Sequence, residues 1–318
     1  MSVPPDVSEE SPRVSYPAAE LFEKARREGR VKDVRTLIAG ARREFRSGTA
    51  LCLPVYRGIE ADTFESLWRG RTALEKFTGQ GWGLIQTKSS CPSANRETAA
   101  RGAVWGHVQF AIWVDSDQVF DSNSLINLLV HARELYGDPE NVEHADVTHT
   151  LWMLCGVYPR RSPEPQLACA FLPSMRQSAH GEPPWQTIQE AAAKGFIAEV
   201  ETAGMGFCII PGAALALMGD NRFQDPLPGP WMQGEDAYFA QRLRDLGGTV
   251  YADFSLRVGH IIESTYDLSW YVRSRMLAEG EVQEIPVTVK LRKPPIEEPH
   301  QRGGVIYPPD ESGKGGAA

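Results

Sequence analysis

Apolar and polar positions follow two different periods along this chain, and the changes of period mark out its elements. Between Ala18 and Arg46, Leu21, Phe22 and Ala25, then Val34, Leu37 and Ile38, recur at helical spacing, and Gly29 divides the stretch into two predicted helices. After Gly48 short apolar runs bounded by turn residues take over. Ala50 to Val55 predicts a buried strand, and Asp62 to Trp68 opens a helix with Asp62 as its expected cap. Trp82 to Ile85 predicts a second strand, Ala94 to Ala103 a second helix and Phe110 to Val114 a third strand. Ser124 to Tyr136 follows as a helix with Leu125, Leu128, Leu129 and Ala132 on one side. Farther on, Gly204-Met205-Gly206 precedes the apolar run Phe207 to Ile210. Its glycines either let the backbone pass close to a bulky ligand or form a tight hairpin packed on the core. Glu235-Asp236 begin a helix that stops at Gly247-Gly248, and Thr249 to Ala252 is the next strand. Alternation of this kind predicts an α/β fold, a mostly parallel sheet covered by helices on both faces. Ligands of such sheets sit at the carboxyl ends of the strands, where the polar residues fall here.

Composition narrows the class. A chain of 318 residues, 42% hydrophobic and 23% charged, is neither fibrous nor mainly disordered. Its 33 Lys and Arg against 41 Asp and Glu give a net charge of −8, which argues against a surface devoted wholly to nucleic acid. Lys24 to Arg46 is locally basic; a solvated helix face is the favoured reading and a phosphate-rich partner the alternative. Cys52, Cys91, Cys155, Cys169 and Cys208 are odd in number and scattered, which points to reduced thiols in a cytoplasmic setting. The first residues are polar and acidic rather than a secretory signal. The most apolar stretch, Gly204 to Gly219, falls short of the ~20 residues a span needs and is broken by Pro211 and Gly212, so no membrane span is expected. The expected organisation is a disordered tail over 1–16, a helical extension over 17–48, a catalytic domain over 49–290 and a Pro/Gly-rich flexible tail over 291–318.

Two constellations carry chemistry. The first is Asp115-Ser116-Asp117, directly after five apolar strand residues. Two carboxylates at the end of a buried strand raise each other's pKa, a conflict that a divalent cation removes. One carboxylate meets the ion and the other holds a ribose or orders the loop; a capped turn is the structural alternative. The second runs from Gly204 to His260. Within it, Trp231 offers a stacking face to a sugar, and the Glu235-Asp236 pair either acts as a general base or simply complements the helix dipole. His260 closes the stretch as a candidate metal ligand.

In order, Leu53-Pro54-Val55-Tyr56, Ser93-Ala94-Asn95-Arg96, Trp113-Val114-Asp115-Ser116-Asp117, Gly156-Val157-Tyr158-Pro159-Arg160, Gly204-Met205-Gly206-Phe207, Gly234-Glu235-Asp236 and Gly259-His260 form a series. It resembles the nucleotide-sugar glycosyltransferases of the GT-A fold, particularly family 2-like enzymes, over roughly Ala50 to Ile262. The resemblance implies a Rossmann-like GT-A domain that moves a sugar from a nucleotide-sugar donor, a UDP-sugar first among them, to an acceptor hydroxyl with inversion. The acceptor's class, whether saccharide, protein or nucleic acid, stays open. It further implies that Pro54, Val55 and Tyr56 line the nucleoside pocket and that Arg96 approaches the diphosphate. Asp115, beside Ser116, would lie near the ribose or the metal, with Asp117 and His260 binding Mn²⁺ or Mg²⁺. Gly204 and Gly206 would border the donor sugar and acceptor, and Asp236, with Glu235 beside it, would be the base. Val55 departs from the hydroxyl residue that many relatives carry. Two rivals remain. One is a haloacid-dehalogenase-type phosphohydrolase with Asp115 as nucleophile and Lys194 and Asp220 to Asp225 in its later motifs. The other is a noncatalytic module that only binds a sugar nucleotide.

Overall fold

The computed structural model describes residues 16–138, 141, 145–159, 167, 169–171, 197–224, 234–261 and 265–266. Helices α1 (Ala18–Arg27) and α2 (Val31–Glu44) flank Gly29, which turns the chain between them at φ 67°. Strand β1 (Ser47–Val55), α3 (Ala61–Thr78), β2 (Gly83–Lys88), α4 (Pro92–Trp105) and β3 (Val108–Val114) then alternate. They are followed by β4 (Gln118–Phe120), α5 (Ser124–Tyr136), β5 (Trp152–Gly156), β6 (Cys169–Phe171), β7 (Ile197–Ala203) and β8 (Phe207–Pro211). The last described elements are α6 (Gly212–Met218), α7 (Glu235–Asp245), β9 (Thr249–Asp253), β10 (Val258–Ile261) and β11 (Thr265–Tyr266).

Eight strands form one sheet in the order β2-β1-β3-β8-β5-β9-β7-β6. The pairing directions leave β7 and β8 opposed to the other six, so the sheet is mixed but most of its strands run one way. Side chains of β3 show how it is covered. Phe110, Ile112 and Val114 face Leu67 and Leu74 of α3 and Leu125, Leu128 and Leu129 of α5. Ala111 and Trp113 face the opposite side, where α4 supplies Ala99 and Ala100, α7 supplies Phe239 and Leu243, and α6 is buried along its whole length. Phe22 of α1 and Ile38 and Ala41 of α2 join that same core. The two-residue period of the strands thus divides one apolar sequence between two helical layers. A second, small antiparallel sheet, β11-β10-β4, stands beside the carboxyl end of β3.

Three local expectations need correction. Asp62 does not cap α3. The helix is entered at Glu60, whose extended backbone (ψ 145°) is fixed by a hydrogen bond from its N–H to the Ser116 carbonyl at 3.0 Å, and Asp62 lies in the first turn. Gly204 to Gly206 does not close a hairpin: β7 pairs with β9 and β6, whereas β8 pairs with β3 and β5. Nor is the basic segment uniformly solvated, because Arg42 is fully buried. Its guanidinium donates to the carbonyls of Tyr136, Asp138 and His149 and lies 3.9 Å from the centre of the Tyr136 ring. Cys52, Cys155 and Cys208 are buried and Cys91 is half-buried. No described helix is long and apolar enough to cross a membrane.

Candidate functional site

Where β3 leaves the core, the Asp115 N–H donates to the Gly206 carbonyl at 2.8 Å, which ties the end of β3 to the turn that starts β8. Helix α4 begins with Pro92, a residue already fitted to the first helical turn. One turn on, it directs Arg96 into the same place. Arg96 is 3% exposed at its side chain, and its guanidinium is surrounded by acceptors. It meets Asp115 Oδ2 at 2.9 Å, Glu235 Oε1 at 3.2 Å, Asp236 Oδ1 at 3.6 Å and the Met205 carbonyl at 3.4 Å. Residues as far apart as 96, 115, 205 and 235 therefore close on one cation.

The electrostatics of this cluster follow from burial against pairing. Burial alone would lower the Arg96 pKa, but Asp115, Asp236, Tyr56 and Glu235 together hold it well above the ordinary value. Burial raises the Asp115 carboxyl; Arg96 opposes the rise and the Asp236 charge adds to it. Glu235 is raised by burial and then by its neighbour Asp236, with Arg96 again opposing. One guanidinium is thus shared among three carboxylates, leaving negative charge in surplus.

The turn before β8 is held on both sides. The Met205 N–H donates to Asp236 Oδ2 at 3.2 Å and the Gly206 N–H to the Tyr158 hydroxyl at 2.8 Å. A Cβ on Gly206 would lie 2.6 Å from that hydroxyl and 2.7 Å from Gln118 Nε2, so only glycine fits. Tyr158 is buried, and burial followed by the charges of Asp115 and Asp236 pushes its hydroxyl well above the usual range. Sequence reasoning gave Tyr158 and Gln118 no role. The available signal was their position, directly beyond β5 and directly after Asp117.

Asp117 and His260 do meet. Their Oδ1 and Nε2 atoms are 3.5 Å apart, because β10 pairs with β4 and sets His260 opposite Gln118, while the Ile261 N–H donates to the Asp117 carbonyl at 2.8 Å. On its other side His260 Nδ1 is 3.2 Å from the Pro159 carbonyl, which can only accept. In the neutral ring the proton therefore sits on Nδ1, leaving the Nε2 lone pair toward Asp117, the tautomer a metal ligand needs. A carboxylate oxygen and an imidazole nitrogen 3.5 Å apart suit two ligands of one ion. Among the described residues, no group of three or more His, Cys, Asp or Glu side chains is arranged to hold a metal. A Mg²⁺- or Mn²⁺-type site does not require one, since such ions commonly take one or two carboxylates and complete their shell with phosphate and water.

On the β1 side, Val55 is buried and its carbonyl accepts from Asn95 Nδ2 at 3.2 Å; Pro54 is buried beside it. Tyr56 sits next to the acidic cluster, and burial raises its hydroxyl pKa. Ser116 is buried. Gly204 lies at the end of β7. Trp231, Arg160, Lys194 and Asp225 lie outside the described residues. Asp220 is placed 3.6 Å from the guanidinium of Arg101. Buried side-chain atoms of Asn95, Asp115, Asp236 and Gln118 that lack a hydrogen-bond partner among the described residues all belong to this one edge of the sheet. Such atoms also occur elsewhere among the described residues, on Arg42, Thr63, Tyr136 and Arg242.

No protein-family model matches the sequence, and no curated protein matches it. Among solved structures, the chain is similar to A197 from STIV, at 16% identity and a TM-score of 0.42, over 68% of this chain and 86% of that one. It is also similar to GalNAc-T7 solved with UDP, GalNAc and Mn²⁺, at 12% identity and a TM-score of 0.38, over 72% of this chain and 47% of that one. The chain therefore spans about half the length of the latter. Both likenesses are too distant to bear on reaction or ligand.

Proposed function

We propose that this chain is a glycosyltransferase that moves a sugar from a nucleotide-sugar donor, a UDP-sugar, to an acceptor hydroxyl with inversion. The observation that carries the reading is the convergence of Asp115, Glu235 and Asp236 on buried Arg96, with Asp117 and His260 3.5 Å apart beside them. These are the residues that the ordered motif series selects, although they are spread over more than 160 positions of the chain.

Inverting transfer needs an acceptor hydroxyl deprotonated on the face opposite the leaving group, and a positioned carboxylate does this. Asp236 is the best placed. Its side chain is 30% exposed against 17% for Glu235, its Oδ2 is fixed by the Met205 N–H, and its Oδ1 has no hydrogen bond among the described residues. Glu235, bonded to Arg96, keeps the first turn of α7 in register. Arg96 holds Asp115 toward the donor while steadying the base. Asp117 and His260 would hold Mn²⁺ or Mg²⁺, which when bound would neutralise the charge of the leaving diphosphate. Pro54, Val55 and Tyr56 flank the nucleoside, and Gly204 and Gly206 border the donor sugar and acceptor.

Asp236→Asn keeps one acceptor, for the Met205 N–H, but places an amide NH2 where the second oxygen faced Arg96 and removes the base. Transfer should fall on the order of 10²–10⁴-fold in a protein that stays folded. Near-normal turnover would remove the assignment. The class itself is tested by thermal shifts with UDP-, GDP-, CMP- and dTDP-sugars, each with and without Mn²⁺. Stabilisation by a sugar nucleotide supports it, whereas phosphate release from simple phosphomonoesters without any such response would replace it with a phosphohydrolase.

A further inference from the structure

Gln118 is fully buried, yet neither its amide nitrogen nor its amide oxygen has a hydrogen-bond partner among the described residues. A buried polar group left unmatched keeps the full desolvation penalty of leaving water, with nothing to offset it. Its surroundings are those of the candidate site. Gln118 follows Asp117 directly, lies opposite His260 in the β4–β10 pair, and brings Nε2 to within 2.7 Å of the point a Gly206 side chain would occupy. The Tyr158 hydroxyl stands 2.6 Å from that same point but is engaged by the Gly206 N–H. Gln118 thus packs against the Gly206 backbone, at the turn tied to Asp115 and Asp236, as an amide with both hydrogen-bonding capacities unused.

We propose that Gln118 is a specificity residue whose amide binds the hydroxyls of the donor's sugar ring. This rests on the glycosyltransferase reading and extends it to a residue which that reading leaves idle. The chemistry selects the ligand class. An uncharged amide offers one acceptor and a donor side by side, the complement of two neighbouring hydroxyls, one donating and one accepting. A phosphate or carboxylate would match only the nitrogen and leave the oxygen facing like partial charge. Adjacency to Asp117 places this contact next to the diphosphate end of the donor, where the transferred ring, not the nucleoside, lies.

The test compares wild type, Gln118→Met and Gln118→Asn by thermal melting and by titration with Mn²⁺ and UDP, and with Mn²⁺ and UDP-glucose, UDP-galactose, UDP-N-acetylglucosamine or UDP-N-acetylgalactosamine. Methionine matches the volume without the polar atoms; asparagine retains an amide one methylene short. Without ligand, Gln118→Met should melt at or above wild type, because it removes two unmatched buried groups. Donor binding should weaken roughly tenfold to a hundredfold in both variants, the loss of two hydrogen bonds, while UDP affinity stays within about twofold. Equal weakening for UDP and donor, unchanged donor affinity, or a ligand-free melting temperature several degrees below wild type in both variants each overturns the proposal. The last result would mean that the amide has an internal partner. A wild type that responds to UDP-sugars alongside variants that respond equally sinks this inference alone. A wild type that binds none of them sinks the functional reading beneath it.

Discussion

At the scale of single residues the protein turns on Arg96. A buried cation between three carboxylates is poor evidence of net stabilisation, since desolvation opposes the attraction, but removing one partner from such a set leaves the others uncompensated. Arg96→Met should therefore cost about 3–5 kcal/mol near neutral pH, read from the shift of the denaturant midpoint. The sign of its pH dependence follows from Asp115 and Glu235, both raised by burial with Arg96 opposing. Without the guanidinium these carboxyls rise further, so the folded variant holds protons that the unfolded chain has released. Stability of the variant is then recovered as pH falls through those raised values toward the ordinary carboxylate range, and lost as pH climbs back. Its deficit against wild type should shrink in acid; a pH-independent deficit would mean that packing, not charge, is what Arg96 supplies. The residues that border this cluster differ in how visible they were. Asp115, Asp117, Glu235 and Asp236 announce themselves as carboxylates at a strand end and a helix start. Gln118 and Tyr158 do not, because what distinguishes them is burial beside Gly206, a property of contacts between segments far apart in the chain.

At the scale of elements, hydrophobic periodicity was a good guide to existence and a poor one to direction. The apolar stripe of Leu125, Leu128, Leu129 and Ala132 marks α5 at both ends, and Phe110 to Val114 falls wholly within β3. Nothing in Phe207 to Pro211 says that β8 runs against β3 and β5, since a strand covered on both faces reads as one apolar run whichever way it points. The absence of a β7–β8 hairpin is similarly nonlocal: Gly204 to Gly206 is a turn, but its partners are Asp115, Asp236 and Tyr158 rather than a facing strand. Glycines separate these roles, and two of them make opposite predictions. A Cβ on Gly212, at the start of α6, would fall 1.9 Å from the Val108 carbonyl oxygen of β3, a backbone atom that cannot swing aside. Gly212→Ala should thus force α6 from the sheet and destabilise by about 1–3 kcal/mol or more. Gly40, inside α2, has nothing within 4 Å of its absent Cβ, so Gly40→Ala should stabilise by roughly 0.5–1 kcal/mol through helix propensity and reduced backbone freedom in the unfolded chain. Paired thermal melts of the two variants read both signs; equal shifts would contradict the assignment of Gly212 as a close-packing position.

At the scale of the molecule, charge decides what the site can accept. The chain carries −8 overall, and its basic run along α1 and α2 is spent partly on solvent and partly on the internal contacts of Arg42. Within the site Arg96 is the cation set against Asp115, Glu235 and Asp236, with Asp117 and His260 adjacent. A nucleotide diphosphate approaching this edge meets repulsion near and far. Arg96, enclosed by carboxylates and nearly sealed from solvent, has little field left to offer it. If the site takes a nucleotide-sugar donor as proposed, the donor has to bring compensating positive charge with it, and the Asp117–His260 pair is the described place suited to receive that charge. The expected outcome is that a UDP-sugar raises the melting temperature with Mn²⁺ or Mg²⁺ present, that EDTA abolishes the rise, and that added metal restores it. Asp117→Asn and His260→Ala should each weaken the metal-dependent increment while leaving the protein folded. Raising ionic strength separates the local from the global contribution: screening relieves the long-range repulsion from the net charge but reaches the enclosed pair far less. If charge over the whole surface were the obstacle, salt alone would rescue donor binding in EDTA. Because the surplus sits inside the site, salt should not replace the metal, and rescue by salt would show that Asp117 and His260 are not where the diphosphate is received.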